Sequence, residues 1–354
     1  MDILLEELQL VNSPAFHVGL SGNLHATVRR MDIYVDRKVQ RRMRAEAAAR
    51  RSAVAVAGGP DDPPQDPAWL NTDGIDPSGR GYHIHHCSIV NDDDSIAVKP
   101  MHRGQVVAGG LTELSCSQDM LIEDMVMTGV GASIGSVPPN AQHNCVRNIT
   151  FRNVTMPGTT KGIYVKSNPS CSKPGATPAT AEITGVLYEN FRILRPSWWA
   201  VWIGPQQQHE PDSALGEKCA LDYPITPHCP TQGCVSFRNI TLRDVYIEQP
   251  VLAPGVLLGN ASQPMEGLVF DNVAVAYTDG AARPPPARAA QLRCSDLCAC
   301  RLLQASRTSR TRRRRCRSRT RTSARRCAAA GGATRGPCRA ACGRARRTRN
   351  GKGI

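Results

Sequence analysis

The sequence predicts an all-β chain folded as a parallel β-helix, a solenoid in which each coil buries its apolar face only against its neighbours. One six-residue pattern supports this prediction: an apolar residue, two polar residues, and then an apolar, a variable and an apolar residue. Seven copies are present, at residues 28–33, 84–89, 122–127, 151–156, 188–193, 242–247 and 270–275. Each copy is typical of two short strands of period 2 joined by a bend.

The bend is occupied by the same two residue types in most copies, namely Asp124, Asn153, Asn190, Asp244 and Asn272. Asn and Asp tolerate left-handed backbone angles and hydrogen-bond locally. An antiparallel β-sandwich also has regular short strands, but it does not require the same bend residue in every repeat. The repeated bend therefore favours the β-helix.

The first two copies are too far apart for one coil. Val28 and Ile84 are separated by 56 residues, and removing the 34 residues from Asp36 to Trp69 leaves 22, a length typical of a β-helix coil. We therefore predict that residues 36–69 form a basic, Ala/Arg-rich insertion that is helical around Val39 to Ser52. The alternative is that this segment is the translation of sequence that is not normally coding.

Positive charge is concentrated outside the repeats. The whole chain carries +14, but residues 281–354 hold 22 Lys and Arg against Asp296 alone, so residues 1–280 carry −7. We predict one β-helix domain over residues 1–280 and a disordered tail over residues 281–354, because the tail has too few apolar residues to bury a core. The tail is either an arm for an anionic surface or a frameshifted end. Without interleaved aromatic residues, no specific nucleic-acid partner is expected.

Two acidic motifs lie among the repeats, at residues 71–76 and 91–99. Neighbouring coils of one sheet can bring their carboxylates together. Cleavage of a glycosidic bond requires two carboxyl groups, one protonated to expel the leaving sugar and one ionised to activate water. The two motifs together place at least three carboxylates where this chemistry would need them.

The motifs resemble those of glycoside hydrolase family 28, the polygalacturonases and their relatives. NTDGID at 71–76, DDSIAVK at 93–99, GASIGSV at 131–137 and GIYVK at 162–166 follow the family's order, and SPAFH at 13–17 is similar to an earlier family segment. The resemblance extends from about Leu5 to Tyr277. It implies a right-handed parallel β-helix that hydrolyses α-linked galacturonate chains with inversion. We also expect a secreted, extracellular monomer that needs neither cofactor nor metal.

The resemblance also implies roles for the acidic residues. Asp93 corresponds to the general acid, and Asp73 and Asp94 to the pair that holds and deprotonates the attacking water. The segment Ser95–Lys99 follows as the family pattern requires, which favours this assignment over the pair Asp92 and Asp93. We expect the neighbouring carboxylates to raise the pKa of Asp93 by like-charge repulsion.

Two positions depart from the family pattern. Val130 stands where many members have histidine, and Tyr164 stands where many have a substrate-binding arginine. Lys166 is retained and can pair with a substrate carboxylate as a point charge. We expect Lys166, Tyr164 and Lys99 to lie in the substrate site, where the two departures would change specificity or activity.

Three of the four tryptophans are close in sequence, at Trp198, Trp199 and Trp202, and His209 follows them. Trp202 and His209 are candidates for stacking on a sugar and hydrogen-bonding it at the open end of the cleft. Alternatively, Trp199 and Trp202 pack into the solenoid wall, and His209 is an idle surface residue.

Cysteines and sequons indicate an oxidising compartment. Cys229 with Cys234, and Cys171 with Cys219, are candidate disulfides, and the lack of a CxxC pair argues against zinc. Sequons at Asn148, Asn153, Asn239 and Asn260 fit a secreted glycoprotein. No apolar run of about eighteen residues suggests membrane insertion. The first residues do not form a signal peptide, and we expect the family's first coils to be missing.

These observations predict an inverting hydrolase whose partner is a pectin-type cell-wall polysaccharide. The alternatives are an exo-acting or rhamnogalacturonan-type relative, and a non-catalytic carbohydrate-binding β-helix. Retention of Asp73, Asp93 and Asp94 favours catalysis, because binding alone does not require crowded like charges.

Overall fold

A computed structural model describes residues 2–13, 15–36, 38–39, 42, 45–46, 71–101, 116–138, 144–168, 181–207, 235–261 and 263–277. Sixteen strands cover most of them: β1 (Ile3–Glu6), β2 (Gln9–Val11), β3 (Val18–Arg29), β4 (Asp32–Tyr34), β5 (Ile75–His85), β6 (Ser88–Val90), β7 (Asp94–Val98), β8 (Cys116–Met127), β9 (Gly131–Val137), β10 (Asn144–Pro157), β11 (Ile163–Ser167), β12 (Ala181–Leu194), β13 (Val201–Pro205), β14 (Ser236–Glu248), β15 (Gly255–Leu257) and β16 (Glu266–Ala276).

The strands coil as the repeat predicts. Every pairing between two named strands is parallel, and the hydrogen-bonded order is β15-β13-β11-β9-β7-β5-β8-β10-β12-β14-β16. Odd-numbered short strands stack on one side of β5, and even-numbered long strands stack on the other. Partners in β8 and β10 are one coil apart, as in the pair Met120 and Ile149. The prediction of a parallel β-helix is confirmed.

One column of side chains shows how the coils bury their apolar face. The pairings align Val28, Ile84, Ile122, Phe151, Tyr188 and Leu242 on successive coils. All six are fully buried. The rings of Phe151 and Tyr188 stack with centroids 5.0 Å apart. Since burial of one such side chain contributes about 1.5–3 kcal/mol, stacking of the coils stabilises each one.

The bend prediction is confirmed at all five positions. Asp124, Asn153, Asn190, Asp244 and Asn272 have φ between 53° and 55°, the left-handed region. Their side chains form a ladder, in which Asn153 donates to Asp124 over 3.0 Å, and Asn190 donates to Asn153 over 2.9 Å. The bend does not interrupt the strand in β8, β10, β12, β14 and β16, which run continuously through it.

A second bend column lies five residues earlier and was not predicted. Left-handed angles recur at His25, Gly81, Asp119, Asn148, Gly185, Asn239 and Gly267. Asn148 Nδ2 donates to Asp119 Oδ1 over 2.6 Å, as Asn153 Nδ2 does to Asp124 in the first column. An N-linked glycan at Asn148 or Asn153 would be attached to this same Nδ2 and would leave it one N–H to donate.

The disulfide in the described residues differs from both predicted pairs. Cys116 and Cys145 occupy paired positions on β8 and β10, with Cα atoms 4.6 Å apart, and form a disulfide. Their separation of 29 residues is one coil, and each lies six residues before a copy of the repeat, at Ile122 and Phe151. The predicted partners Cys171, Cys219, Cys229 and Cys234 lie outside the described residues, and Cys87 is a buried free thiol.

The start of the insertion is helical where it is described. Lys38, Val39, Arg42, Ala45 and Glu46 have helical backbone conformation. Asp36 Oδ1 accepts the backbone N–H groups of Lys38 and Val39 over 2.8 and 3.2 Å, as an N-cap does. Among the described residues, no helix is long and apolar enough to cross a membrane. The tail over residues 281–354 lies outside the described residues.

Candidate active site

The candidate site lies on the outer face of the short-strand side of the solenoid. Along β11, Ile163 and Val165 belong to the main core cluster, whereas Tyr164 belongs to a second apolar cluster. Along β13, Val201 and Ile203 face the core, and Trp202 joins the second cluster. Because alternate residues of a strand point to opposite faces, residues 164 and 166 project away from the core.

Asp73, Asp93 and Asp94 meet on this face. One carboxylate oxygen from each lies within 4.8 Å of the other two. Asp73 immediately precedes Gly74, whose N–H donates to the Asp94 carbonyl over 2.9 Å. A Cβ on Gly74 would lie 2.4 Å from the Ser95 carbonyl oxygen, so only glycine lets the two segments approach this closely.

The carboxylate of Asp93 is held by the backbone. Its Oδ2 accepts the N–H of Asn71 over 2.8 Å, and its Oδ1 accepts the N–H of Asp94 over 2.8 Å. Asp92 lies apart from the three carboxylates and lines a different cleft, with Tyr34, Asn91 and Thr128. The residues that the structure brings together are therefore those of the preferred sequence assignment.

Asp94 is the ionised member of the group. Burial opposes its ionisation, but Lys166 Nζ lies 2.5 Å from its Oδ2. The Ser133 hydroxyl donates to Oδ1 over 2.7 Å. Together with the more distant Lys99, these groups hold the pKa of Asp94 below its ordinary value.

The other two carboxyl groups favour their protonated forms. Burial raises the pKa of Asp93, and the negative charge of Asp94 raises it further. Burial raises the pKa of Asp73 to about 9, with further repulsion from Asp93 and Asp94. The site therefore combines proton donors with one ionised carboxylate. The direction for Asp93 agrees with a general acid. The raised pKa of Asp73 favours its protonated form, which makes Asp94 the more readily ionised member of their pair.

Both of the predicted substrate-binding lysines are ion-paired within the site. Lys166 contacts Asp94 and is 4% exposed. Lys99 Nζ lies 3.6 Å from both Asp73 and Asp76. Burial raises the pKa of Asp76 to about 6, against the attraction of Lys99. Both lysines therefore balance the charge of the acidic residues.

Tyr164 and Trp202 pack into the wall of the solenoid. Tyr164 is 1% exposed, and its hydroxyl accepts the N–H of Gln207 over 2.7 Å. Trp202 is fully buried and donates from Nε1 to the Pro205 carbonyl over 2.9 Å. Of the two alternatives for the tryptophans, wall packing describes Trp199 and Trp202, which are buried in this conformation. His209 lies outside the described residues.

Val130 packs against the same apolar cluster, together with Trp198. Its backbone N–H donates to the Asp93 carbonyl over 2.8 Å, which fixes it beside the acidic residues. The two departures from the family pattern, Val130 and Tyr164, thus belong to one cluster with Trp199 and Trp202.

Three residues near the site escaped the sequence predictions. Ser133 binds Asp94, and Lys161 lies over the ring of Tyr164. His17 accepts the N–H of Ser13 at Nε2 and donates from Nδ1 to the Asp73 carbonyl over 2.9 Å. Because a carbonyl only accepts, these contacts fix the proton on Nδ1. The position of His17 in the SPAFH segment was the available signal.

The three carboxylates also have the spacing of a possible cation site. One feature disfavours a metal there, because the ammonium of Lys166 already neutralises Asp94. The arrangement suits proton transfer better than metal binding.

Comparison with known proteins identifies similar sequences and folds. The family model for glycosyl hydrolases family 28 matches residues 2–283. The endo-polygalacturonase of Pectobacterium carotovorum subsp. carotovorum is 32% identical over 121 residues, or 34% of this chain and 25% of that protein. The endo-xylogalacturonan hydrolase A of Aspergillus tubingensis is 29% identical over 135 residues, or 38% of this chain and 27% of that protein.

Among solved structures, endopolygalacturonase I from Stereum purpureum, complexed with two galacturonate, superposes with a TM-score of 0.43 at 16% identity. The alignment covers 78% of this chain and 68% of that one. The matches to the two curated relatives span about a quarter of the length of each.

Proposed function

Because the chain belongs to glycosyl hydrolases family 28, we propose that it hydrolyses the α-linked galacturonate backbone of a pectin-type polysaccharide. The observation that carries the proposal is the meeting of Asp73, Asp93 and Asp94 within 4.8 Å on neighbouring coils. A cluster that combines proton donors with one ionised carboxylate has the two groups that hydrolysis of a glycosidic bond requires.

Each carboxyl group has a separate task in this mechanism. Asp93 gives its proton to the glycosidic oxygen as the bond breaks, which its raised pKa favours. Asp94, held ionised by Lys166, accepts a proton from the attacking water. Asp73 orients that water, and His17 positions Asp73 through its backbone carbonyl.

The stereochemistry has opposing indications. Family membership favours inversion, whereas the 4.8 Å limit on the oxygen separations is shorter than the roughly 6.5–9.5 Å usual between carboxyl groups of inverting enzymes. We propose inversion. Proton NMR of freshly released product distinguishes the outcomes, because inversion of an α-linkage yields the β-anomer first. Initial release of the α-anomer would overturn inversion and leave the hydrolase assignment intact.

Release of reducing ends from a set of polysaccharides tests the substrate. We expect the full chain to act on polygalacturonate, with xylogalacturonan, rhamnogalacturonan and a neutral galactan as comparisons. Preference for xylogalacturonan or rhamnogalacturonan would move the proposal to another backbone. Activity restricted to chain ends, seen as monomer release without a fall in viscosity, would indicate the exo-acting alternative.

A second candidate is carbohydrate binding without catalysis. The apolar packing of Val130 and Tyr164, where many family members have polar groups, favours it. Retained binding of oligogalacturonate with no product from any substrate would support this candidate over hydrolysis.

We also propose that the protein acts outside the cell as a monomer. The disulfide between Cys116 and Cys145 supports this location, because disulfides persist mainly in oxidising compartments. Expression under reducing and oxidising conditions, followed by thiol counting and size-exclusion chromatography, tests both statements.

A further inference from the structure

Lys161 is a buried ammonium group at the edge of the acidic cluster. It is 2% exposed, and its Nζ lies 4.0 Å from the centre of the Tyr164 ring. The rings of Trp198 and Trp202 lie 5.5 and 5.6 Å from the same atom. Three aromatic rings therefore surround one cation.

The backbone around Lys161 is fixed. Its carbonyl accepts the hydroxyl of Thr159 over 2.6 Å, and its N–H donates to the Gly129 carbonyl over 3.3 Å. Gly129 directly precedes Val130, whose N–H binds the Asp93 carbonyl. Lys161 is thus attached to the turn that also supports the proposed general acid.

Lys161 differs from the other lysines of the site in whether a carboxylate lies beside its ammonium group. Lys166 contacts Asp94, and Lys99 lies between Asp73 and Asp76. Among the described residues, no carboxylate lies within ion-pair distance of Lys161. Burial and the repulsion of Lys166 lower the pKa of Lys161 to about 7, against the weaker attraction of Asp94 and Asp93.

A buried ammonium is costly unless an anion or hydrogen-bond acceptors compensate for lost water. Aromatic faces supply part of this compensation, about 0.5–2 kcal/mol per contact. A carboxylate would supply the remainder. On the proposed substrate, every unmodified galacturonate carries one.

We propose that Lys161 is a substrate-binding residue that pairs with the carboxylate of a uronate sugar beside the catalytic carboxylates. The inference rests on the proposed function and assigns a specificity role to a residue outside the family motifs. Of the three rings around Lys161, Trp198 is only half-buried, whereas Tyr164 and Trp202 are almost fully buried. Because Lys161 is itself buried, the inference requires the carboxylate to reach Nζ past Trp198, the ring that has exposed surface.

Binding of trigalacturonate and of its neutral, carboxyl-reduced counterpart tests the pairing. Both are titrated calorimetrically into full-length Asp93→Asn protein, which removes the proposed proton donor. We expect Lys161→Met in this background to weaken trigalacturonate binding by about 30-fold or more, the usual loss for truncating a buried charge pair. The neutral trisaccharide should bind equally to both proteins, and Lys38→Met, which removes an exposed positive charge, should change neither affinity.

Lys161→Arg provides a second test that does not depend on removing the charge. At about pH 8, Lys161 is mostly neutral. A bound carboxylate favours the ammonium form of Lys161, so the Asp93→Asn protein should take up a proton when it binds trigalacturonate. Lys161→Arg should bind without this uptake, because arginine stays protonated. Uptake by another titratable group of the site, such as Asp73, Asp76, Asp94, Lys99, Tyr164 or Lys166, would persist in this variant.

Three results would overturn the inference. They are unchanged trigalacturonate affinity in folded Lys161→Met, equal weakening of the charged and neutral trisaccharides, and proton uptake that persists in Lys161→Arg. The outcome is separable from the proposed function. Lys161-dependent binding without hydrolysis by the wild type would refute catalysis, whereas hydrolysis with Lys161-independent binding would refute only this inference.

Discussion

Asp93 and Asp94 are adjacent in sequence but have opposite tendencies to ionise. The difference comes from their neighbours: Asp94 contacts the Lys166 ammonium, whereas Asp93 accepts the backbone N–H groups of Asn71 and Asp94 and lies beside the charge of Asp94. Lys166, expected from the sequence to grip the substrate, thus sets the charge of the proposed base. This role depends on the short distance between Lys166 and Asp94, which cannot be read from a sequence motif.

Replacement of Lys166 by methionine should therefore alter the pH dependence of hydrolysis. Asp94 would lose its counter-ion, and its pKa would rise, by about 1–3 units for loss of a close opposite charge. Since Asp94 acts in its ionised form, the acid limb of the kcat/KM profile should move to higher pH. Lys166→Arg, which keeps the charge, should restore the limb. An unshifted limb in Lys166→Met would refute the role of Lys166 in keeping Asp94 ionised.

Asp73 should make folding stability depend on pH. Its pKa is about 9 in the folded protein and about 3.9 in an unfolded chain. Between these values the folded state binds a proton that the unfolded state lacks, so the free energy of unfolding falls as pH rises. Asp73→Asn, which cannot titrate, should lose less stability than the wild type between about pH 5 and pH 9. Thermal melts at both pH values measure the difference, and parallel losses would contradict the raised pKa.

At the level of strands, the bends define the coil. Asn153 has φ of 55° and joins the side chains of Asp124 and Asn190 through hydrogen bonds. A β-branched or alanine side chain at such an angle is strained, whereas glycine is not. The ladder explains why Asn and Asp recur, because they both tolerate the angle and link neighbouring coils.

Two substitutions of Asn153 separate the contribution of the left-handed backbone angle from that of the hydrogen bonds between coils. Asn153→Ala should destabilise the solenoid by about 1–3 kcal/mol, through the strained angle and the lost hydrogen bonds. Asn153→Gly removes the hydrogen bonds but relieves the strain, so it should cost less. Urea unfolding monitored by circular dichroism gives the order. Equal or greater loss in the glycine variant would show that backbone strain is unimportant at this bend.

The first bend column was visible in the sequence and the second was not, for a physical reason. The first column is mostly Asn and Asp between apolar residues, which forms a pattern. The second mixes His25, Gly81, Asp119, Asn148 and Gly185, since glycine also accepts the left-handed angle. Because different residue types satisfy the same backbone requirement, no recurring residue type identifies the second column in the sequence.

Outward-facing charges form a further feature that depends on register. Arg29 pairs with Glu6, Arg152 with Glu123, and Arg243 with both Glu189 and Asp271. These pairs connect neighbouring coils along one face. Except for Glu6, these residues occupy the second position of the six-residue repeat, so aligning the copies already places them in one column.

Across the whole domain, the site gathers positive charge on an acidic body. Residues 1–280 carry −7, yet Lys99, Lys161 and Lys166 lie together beside the acidic cluster. Lys99 and Lys166 are paired with carboxylates of the same site, so Lys161 is the one of these three lysines that is left to attract an anionic polysaccharide.

The order of motifs predicted which side chains meet, because successive coils place consecutive motifs side by side. It did not predict what surrounds them. Val130 and Tyr164 were recognised as departures, but their packing in one cluster with Trp199 and Trp202 depends on loops and register. The unusual partners of Lys161 and Lys166 arise in the same way, from contacts between coils.

The most direct test of the account is the rate of reducing-end release from polygalacturonate by Asp93→Asn and Asp92→Asn proteins. Loss of the proton donor in Asp93→Asn should lower kcat by about 10² to 10⁴ or more, with binding of oligogalacturonate retained. Asp92→Asn, whose side chain faces a separate cleft, should keep a rate within about tenfold of the wild type. Loss of activity in Asp92→Asn with near-normal activity in Asp93→Asn would contradict the assignment of the site.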